Sequence, residues 1–74
     1  MKKLTDAEGE ELILEILRGA DSKLTTWEVD NEVRGKDSRC PDDTVRFLAK
    51  MRQKGMINGE VSYEKRGWVW WVES

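Results

Sequence analysis

Apolar residues recur at helical spacing in the first part of the chain, and the first such segment has clear start and stop signals. Its apolar residues share one helical face: Leu12, Ile13, Ile16, Leu17 and Ala20. Thr5 and Glu8 have the spacing of a capping box, and Gly19 lies where a helix stop is expected. This pattern predicts a first helix from Thr5 to about Gly19, in which Gly9 costs up to about 1 kcal/mol relative to alanine. Leu14 points away from the buried face and is predicted to be exposed, with a dimer contact as the alternative.

A second capping-box motif at 25–28 predicts a shorter second helix that ends at Gly35. Val29 and Val33 are spaced by four residues, so they are expected to be its buried pair. Trp27 falls near the edge of that face. Because tryptophan usually contributes through buried area, we expect Trp27 to pack rather than to contact a ligand.

A third helix is predicted to begin at Pro41, since proline suits the first helical position. Asp42 and Asp43 then lie in the first turn, where the helix dipole favours carboxylates. The apolar stripe of this helix is predicted from three residues at helical spacing: Val45, Leu48 and Met51. Lys54 and Gly55 supply a C-terminal cation and a C-cap glycine, which predict the end of the helix.

The C-terminal segment alternates apolar and polar residues on either side of Arg66-Gly67, which predicts a β-hairpin. With Arg66 and Gly67 as the two central turn residues, Tyr63 faces Trp70 and Val61 faces Val72. This register places five apolar residues on one face: Val61, Tyr63, Trp68, Trp70 and Val72. A three-residue turn, 65–67, would instead bring together Val61, Tyr63, Val69 and Trp71. We favour the first register because it separates polar from apolar side chains more cleanly, although one residue of slip exchanges the faces.

Composition restricts the chemistry that 74 residues can perform. The chain has one cysteine, Cys40, and no histidine, so an internal disulfide, a thiolate zinc cage and histidine-based catalysis are excluded. No nucleophile–base pair or glycine-rich phosphate loop is present, so we expect neither an enzyme nor a site for a metal, a cofactor or a small-molecule substrate. No apolar stretch has the length of a signal peptide or a membrane span, which predicts a cytoplasmic protein with no membrane contact.

Charge is distributed unevenly along the chain. The net charge is −2, but residues 1–43 carry seven Lys/Arg and twelve Asp/Glu, a net −5. Residues 44–67 carry six Lys/Arg and two Asp/Glu, a net +4. This asymmetry indicates a basic face on an acidic body.

The stretch from Thr44 to Ile57, TVRFLAKMRQKGMI, resembles the recognition helix and the start of the wing in prokaryotic winged-helix regulators. In that family a Thr-Val opening leads to two apolar residues three apart, a basic stretch, and then glycine with two apolar residues. The resemblance extends over roughly residues 5–73. It implies an α+β fold, a three-helix winged helix-turn-helix with a C-terminal β-hairpin wing, formed as a single domain over 1–74.

The resemblance also implies binding of double-stranded DNA by a transcriptional regulator. In such domains the third helix enters the major groove and the wing contacts the DNA backbone. On a helical wheel, Arg46, Lys50 and Gln53 face away from the predicted apolar stripe, and such side chains can read bases or contact phosphate. The full set of candidate DNA-binding residues is Arg39, Thr44, Arg46, Lys50, Gln53, Lys65 and Arg66.

The alternative function is a winged helix that binds proteins and not DNA. The acidic half of the chain and the surplus of tryptophan are typical of such a module, and an exposed Trp71 beside Val69 would be an aromatic anchor. Leu14 and Trp71 are therefore the candidate partner-binding residues, for a second copy of the chain or for another protein.

Overall fold

The computed structural model describes residues 1–73 and has the predicted α+β architecture of three helices followed by a hairpin. The helices are α1 (Asp6–Gly19), α2 (Thr26–Gly35) and α3 (Thr44–Gln53). The strands are β1 (Lys2–Lys3), β2 (Leu24–Thr25), β3 (Ser38–Arg39), β4 (Asn58–Ser62) and β5 (Gly67–Trp71). An antiparallel sheet of order β2-β5-β4 completes an arrangement consistent with a winged helix-turn-helix.

Both predicted capping boxes are present and fix the starts of α1 and α2. The Thr5 hydroxyl accepts a hydrogen bond from the Glu8 N–H at 3.2 Å, and the Glu8 carboxylate accepts one from the Thr5 N–H at 3.0 Å. Thr25 and Glu28 repeat this exchange at 3.1 and 2.9 Å. Because each box satisfies two N–H groups that a helix start leaves unpaired, short polar motifs suffice to define both starts.

The third helix begins three residues later than predicted. Pro41 is not its first residue: α3 starts at Thr44, and Asp42 lies in the bend that precedes it. The Asp42 carboxylate accepts a hydrogen bond from the Asp43 N–H at 2.8 Å, which stabilises this bend. Pro41 packs close to Gly9 of α1, so tertiary contact holds the chain out of helical geometry here.

The buried face of α3 also differs from the prediction. Leu48 and Met51 are fully buried, but Val45 is 40% exposed and Phe47 takes its place in the core. The Phe47 ring lies against Gly9, where the absence of a Cβ leaves room for it. The close approach of α1 and α3 at Gly9 therefore sets the rotation of α3 about its axis.

The core lies between the three helices and one face of the sheet. Its most deeply buried large side chains are Trp70, Ile13, Leu48, Met51, Val29 and Val33. The N-terminal segment closes the core from one side: β1 pairs in parallel with β3, and Leu4, directly after β1, is buried. Within residues 1–73, no helix is long and apolar enough to span a membrane.

The hairpin register differs from both predicted registers. Val61 lies opposite Trp68, and Ser62 lies opposite Gly67, so residues 63–66 form the connection. Tyr63 is therefore in the loop and 92% exposed, not on the apolar face. The prediction that Val61, Trp68 and Trp70 share a face is correct, because β4 and β5 pair Gly59 with Trp70 and Val61 with Trp68.

Candidate nucleic-acid interface

The outer ridge of α3 carries two of the predicted DNA-binding side chains in the open. Arg46 and Gln53 are exposed, and their spacing of seven residues places them on the same side of the helix. Thr44 is half-buried at the start of the helix, where its hydroxyl donates a hydrogen bond to the Asp30 carboxylate at 2.7 Å. Thr44 therefore links α3 to α2, and Arg46 and Gln53 remain free for a ligand.

Lys50 lies one turn after Arg46 on the same broad face of α3, at the edge of that face that borders α1. Its ammonium lies 3.3 Å from the Asp42 carboxylate, in a cleft that Asp6 and Glu10 also line. The Asp43 N–H, followed by Lys50, lowers the pKa of Asp42, so this carboxylate is ionised at neutral pH. A phosphate at Lys50 would have to displace an existing ion pair.

The two predicted wing-tip cations are exposed on the loop between β4 and β5. Lys65 donates its backbone N–H to the Ser62 hydroxyl at 3.1 Å, and Arg66 has a positive φ of 59°. Within residues 1–73, neither side chain has a carboxylate within 4.0 Å. Both charges are therefore available to an anionic partner.

Arg39 lies in β3, directly before the bend that leads into α3, and is exposed. The parallel pairing of β1 with β3 places Lys3 opposite Arg39, so two cations neighbour each other at the sheet edge. In the part of the chain that the structure describes, neither has a salt-bridge partner. Lys3 was not a predicted site residue, because only the folded chain brings the N-terminus to β3.

Arg52 and Trp68 form a further cationic element that the sequence analysis missed. The Arg52 Nε–H donates to the Gly59 carbonyl at 3.2 Å, and its guanidinium carbon lies 5.4 Å from the centre of the Trp68 ring. Arg52 follows Val45 by seven residues and so shares its side of α3. Because Val45 was wrongly assigned to the core, Arg52 on the same side of α3 was not predicted to be an exposed cation.

The two predicted partner-binding residues are less open than expected. Leu14 is not exposed but half-buried, and it packs against the core cluster. Trp71 is also half-buried: the Lys23 ammonium lies 4.0 Å from its ring centre, and the neighbouring Val69 is 4% exposed. The expected exposed pair of Trp71 and Val69 is therefore absent from this surface.

Trp27, in contrast, is more exposed than predicted. It was predicted to pack, but it is 72% exposed, because it lies in the first turn of α2 on the side away from Val29 and Val33. It borders a cleft of about 580 Å³ between α2, β3 and the start of α3. Cys40 also lines this cleft, but burial raises the pKa of its thiol, which disfavours a reactive thiolate.

Ion pairs divide the cations into two groups. Six pairs lie mainly on the acidic body: Met1 amine–Asp37, Lys2–Glu8, Lys23–Glu60, Arg34–Asp30, Lys50–Asp42 and Lys54–Glu10. Over residues 1–73, the side-chain cations outside these pairs are Lys3, Arg18, Lys36, Arg39, Arg46, Arg52, Lys65 and Arg66. Most of this second group belongs to β1, β3, α3 and the wing.

Comparison of the chain with family models, with curated proteins and with solved structures finds no match in any of the three. The functional argument therefore rests on the geometry of this surface.

Proposed function

We propose that this protein is a double-stranded DNA-binding module that acts as a transcriptional regulator, in the cytoplasm. The observation that carries the proposal is the exposed Arg46–Gln53 ridge of α3, together with cations on β3 and on the wing tip that have no ion-pair partner within residues 1–73. The ridge would enter the major groove, where arginine can bond guanine and glutamine can bond adenine. Lys65 and Arg66 would contact the phosphates beside that groove.

The structure alters the set of side chains on which the proposal depends. Lys50 is paired with Asp42, so we assign it no primary contact. Arg46 and the cations Arg39, Lys65 and Arg66 remain as four candidate phosphate or base contacts. Four neutralised phosphates would give a slope of about −3 to −4 in a plot of log affinity against log salt concentration.

The test is a fluorescence-anisotropy titration of a labelled random duplex at 50 and 200 mM salt, concentrations about which phosphate-driven affinity changes steeply. We expect the wild-type chain to bind the duplex at 50 mM salt, with an affinity that falls toward 200 mM salt along the slope given above. We expect Arg46→Ala to bind the duplex more weakly than the wild-type chain at the same salt concentration. Arg18→Ala is the matched control, because Arg18 is an exposed, unpaired cation near the end of α1 among residues 1–73. Absence of duplex binding at 50 mM salt, or equal losses in both variants, would contradict the proposal.

The Lys50–Asp42 pair provides a second, opposite test. Asp42→Asn keeps a side-chain oxygen for the Asp43 N–H but removes the charge that holds Lys50. We expect this variant to bind the duplex more tightly and with a steeper salt slope, because one more cation becomes available. An unchanged slope would place Lys50 outside the interface.

A protein-docking role is the second candidate, and one observation favours it. Trp27 is 72% exposed and borders the same cleft as the 40% exposed Val45, and tryptophan is enriched at the centres of protein interfaces. A second copy of the chain is the simplest partner. Sedimentation velocity over a range of concentrations should then show a dimer that Trp27→Ala abolishes. A monomer at every concentration would exclude docking between copies through this residue.

A further inference from the structure

The cleft beside Trp27 combines an aromatic face, two cations and a carboxylate, of which only the cation of Arg39 also belongs to the duplex proposal. Trp27 supplies an open aromatic face, and Lys3 and Arg39 supply cations that are unpaired within residues 1–73. Asp43 supplies a carboxylate that caps no helix N–H, although Asp43 occupies the cap position of α3. All four residues line the same cleft of about 580 Å³.

The other carboxylates of the cleft are already engaged. Asp30 accepts from Arg34 at 2.8 Å and from the Thr44 hydroxyl at 2.7 Å. Asp42 accepts from the Asp43 N–H and pairs with Lys50. Since these partners leave Asp43 as the exposed carboxylate of the same cleft, it is the acceptor that a ligand there would meet.

The backbone that carries Trp27 is held in place by its neighbours at the start of α2. The neighbouring Thr26 accepts a hydrogen bond from the indole N–H of Trp70 at 2.9 Å, and Trp70 is 1% exposed in the core. The Thr25 capping box holds the same turn of α2. These contacts order the backbone at Trp27 before a ligand binds, so only the side-chain rotamers of Trp27 remain to be fixed by stacking.

We propose that this cleft binds an unpaired nucleotide of single-stranded DNA, with its base stacked on Trp27. Aromatic stacking is tolerant of sequence, and cations beside the ring attract the strand's phosphates, here Lys3 and Arg39. Asp43 accepts a hydrogen bond from the exocyclic amino group of the base, which favours cytosine over thymine. The cleft lies within the 300–1,000 Å³ range typical of small-molecule sites, and a nucleotide is a ligand of that class.

This inference rests on the proposed nucleic-acid function and shares Arg39 with it. Trp27 and Asp43 belong to the strand site alone and Arg46 to the duplex site alone, so the two proposals can fail separately. The duplex site depends on the outer ridge of α3, whereas the strand site depends on the cleft between α2 and β3. Arg46→Ala should therefore weaken duplex binding and leave strand binding nearly intact. Trp27→Ala should do the reverse.

The experiment is an anisotropy titration at 50 mM salt with labelled oligo(dC) and oligo(dT) of about twelve nucleotides each. We expect oligo(dC) to bind more tightly than oligo(dT), and Trp27→Ala to weaken oligo(dC) binding by about 5- to 150-fold. Trp27→Phe should retain most of the affinity, because it keeps a ring to stack on. Asp43→Ala should bring the ratio of the two affinities close to one.

Tyr63→Ala is the matched control, since Tyr63 is a 92% exposed aromatic residue on the wing loop, outside the cleft. It should leave oligo(dC) binding unchanged, and all variants should melt within a few degrees of the wild-type chain. Equal affinity for the two oligonucleotides, no binding of either, or full binding by Trp27→Ala would each overturn the proposal. Quenching of tryptophan fluorescence by oligo(dC), lost in Trp27→Phe, gives an independent readout of stacking.

Discussion

Replacement of Gly59 by alanine tests the contact that sets the position of the whole C-terminal sheet. A Cβ at residue 59 would lie 2.5 and 2.6 Å from two carbons of the Trp70 ring, and 3.3 Å from Cδ of Arg52. Ordinary van der Waals contact begins at 3.4 Å, so the ring would have to move by about 1 Å. Trp70 is 1% exposed, and its indole N–H is bonded to Thr26, so it has little freedom to move.

The expected magnitude follows from two opposing effects. Overpacking in a well-packed core costs about 1–3 kcal/mol. Alanine in a strand regains roughly 0.5–1 kcal/mol relative to glycine, because it has less conformational entropy to lose on folding. The backbone of Gly59 is not in the positive-φ region, so no strain offsets that gain. We therefore expect Gly59→Ala to lower the free energy of unfolding by up to about 2.5 kcal/mol, and by about 1 kcal/mol at the centres of the two ranges.

The assay is thermal and urea denaturation followed by circular dichroism, with Gly67→Ala as the matched control. Gly67 lies in β5, where a Cβ would meet no atom within 4 Å, so alanine there should stabilise the fold by about 0.4–1 kcal/mol. For a domain of this size, 1 kcal/mol corresponds to a change in Tm of about 4–8 °C. A Tm of Gly59→Ala equal to or above that of the wild-type chain would refute the packing argument.

Two further predictions concern α1. Gly9→Ala should destabilise the fold by about 1 kcal/mol or more in urea denaturation, because the added Cβ would lie 2.9 Å from the Phe47 ring and 3.1 Å from Pro41. This loss is expected even though alanine has the higher helix propensity. A gain in stability would show that the Phe47 ring moves freely. Hydrogen bonding to the Thr5 N–H, followed by the Lys2 ammonium, lowers the pKa of Glu8 from 4.5 to about 2. Because the folded state binds this proton more weakly, its stabilisation is complete above pH 4.5 and is lost as the pH falls toward 2. Thermal melts from pH 7 to 2 should therefore show a smaller acid-induced fall in Tm for Glu8→Gln than for the wild-type chain, and parallel curves would contradict this assignment.

The starts of the first two helices were predictable because their signals are local. A capping box needs only a threonine and a glutamate three residues apart, and the hydrogen bonds form within a single turn. Thr5 and Thr25 accordingly cap α1 and α2 as predicted. The third helix lacks such a motif. Its start was read from Pro41, but proline is compatible with a bend as well as with a first turn, and the contact of Pro41 with Gly9 decides between them.

The hairpin register could not be predicted for a related reason. Turn preferences in the sequence point to Arg66-Gly67, yet the observed connection places a positive φ at Arg66 and begins β5 at Gly67. In the observed register the Trp70 ring lies over Gly59, a residue without a side chain. Gly59 and Trp70 are eleven residues apart in the sequence and meet only when the sheet packs on the core, so no local sequence pattern predicts their pairing.

The candidate site was predictable in its charges and unpredictable in its pairings. Lys50 and Arg46 are equivalent in sequence terms, as cations on one helix. Only the folded chain shows that, among residues 1–73, Lys50 forms an ion pair with Asp42 whereas Arg46 has no carboxylate within 4.0 Å. After the Asp43 N–H and Lys50, Arg46 acts on Asp42 only as a nearby charge that lowers its pKa. The exposure of Trp27 could not be predicted for a similar reason. Helical spacing places Trp27 at the edge of the buried face of α2, and only the packing of neighbouring elements decides whether a side chain at that edge is covered.

Some of the acidic residues of the chain lie far from the α3 surface that we propose contacts phosphate, whereas Asp42 and Asp43 lie at the start of α3. Glu11 and Glu15 are exposed on the side of α1 opposite the buried Ile13, so the thickness of a helix, about 10 Å, lies between them and the core. At physiological salt the screening length is about 8 Å, so these charges act only weakly on a ligand at α3. At very low salt the screening length grows to about 30 Å and their repulsion reaches the ligand. The salt dependence of DNA binding should therefore flatten below about 10 mM, where repulsion from the carboxylates begins to offset counterion release, and Glu11→Gln with Glu15→Gln should reduce that flattening.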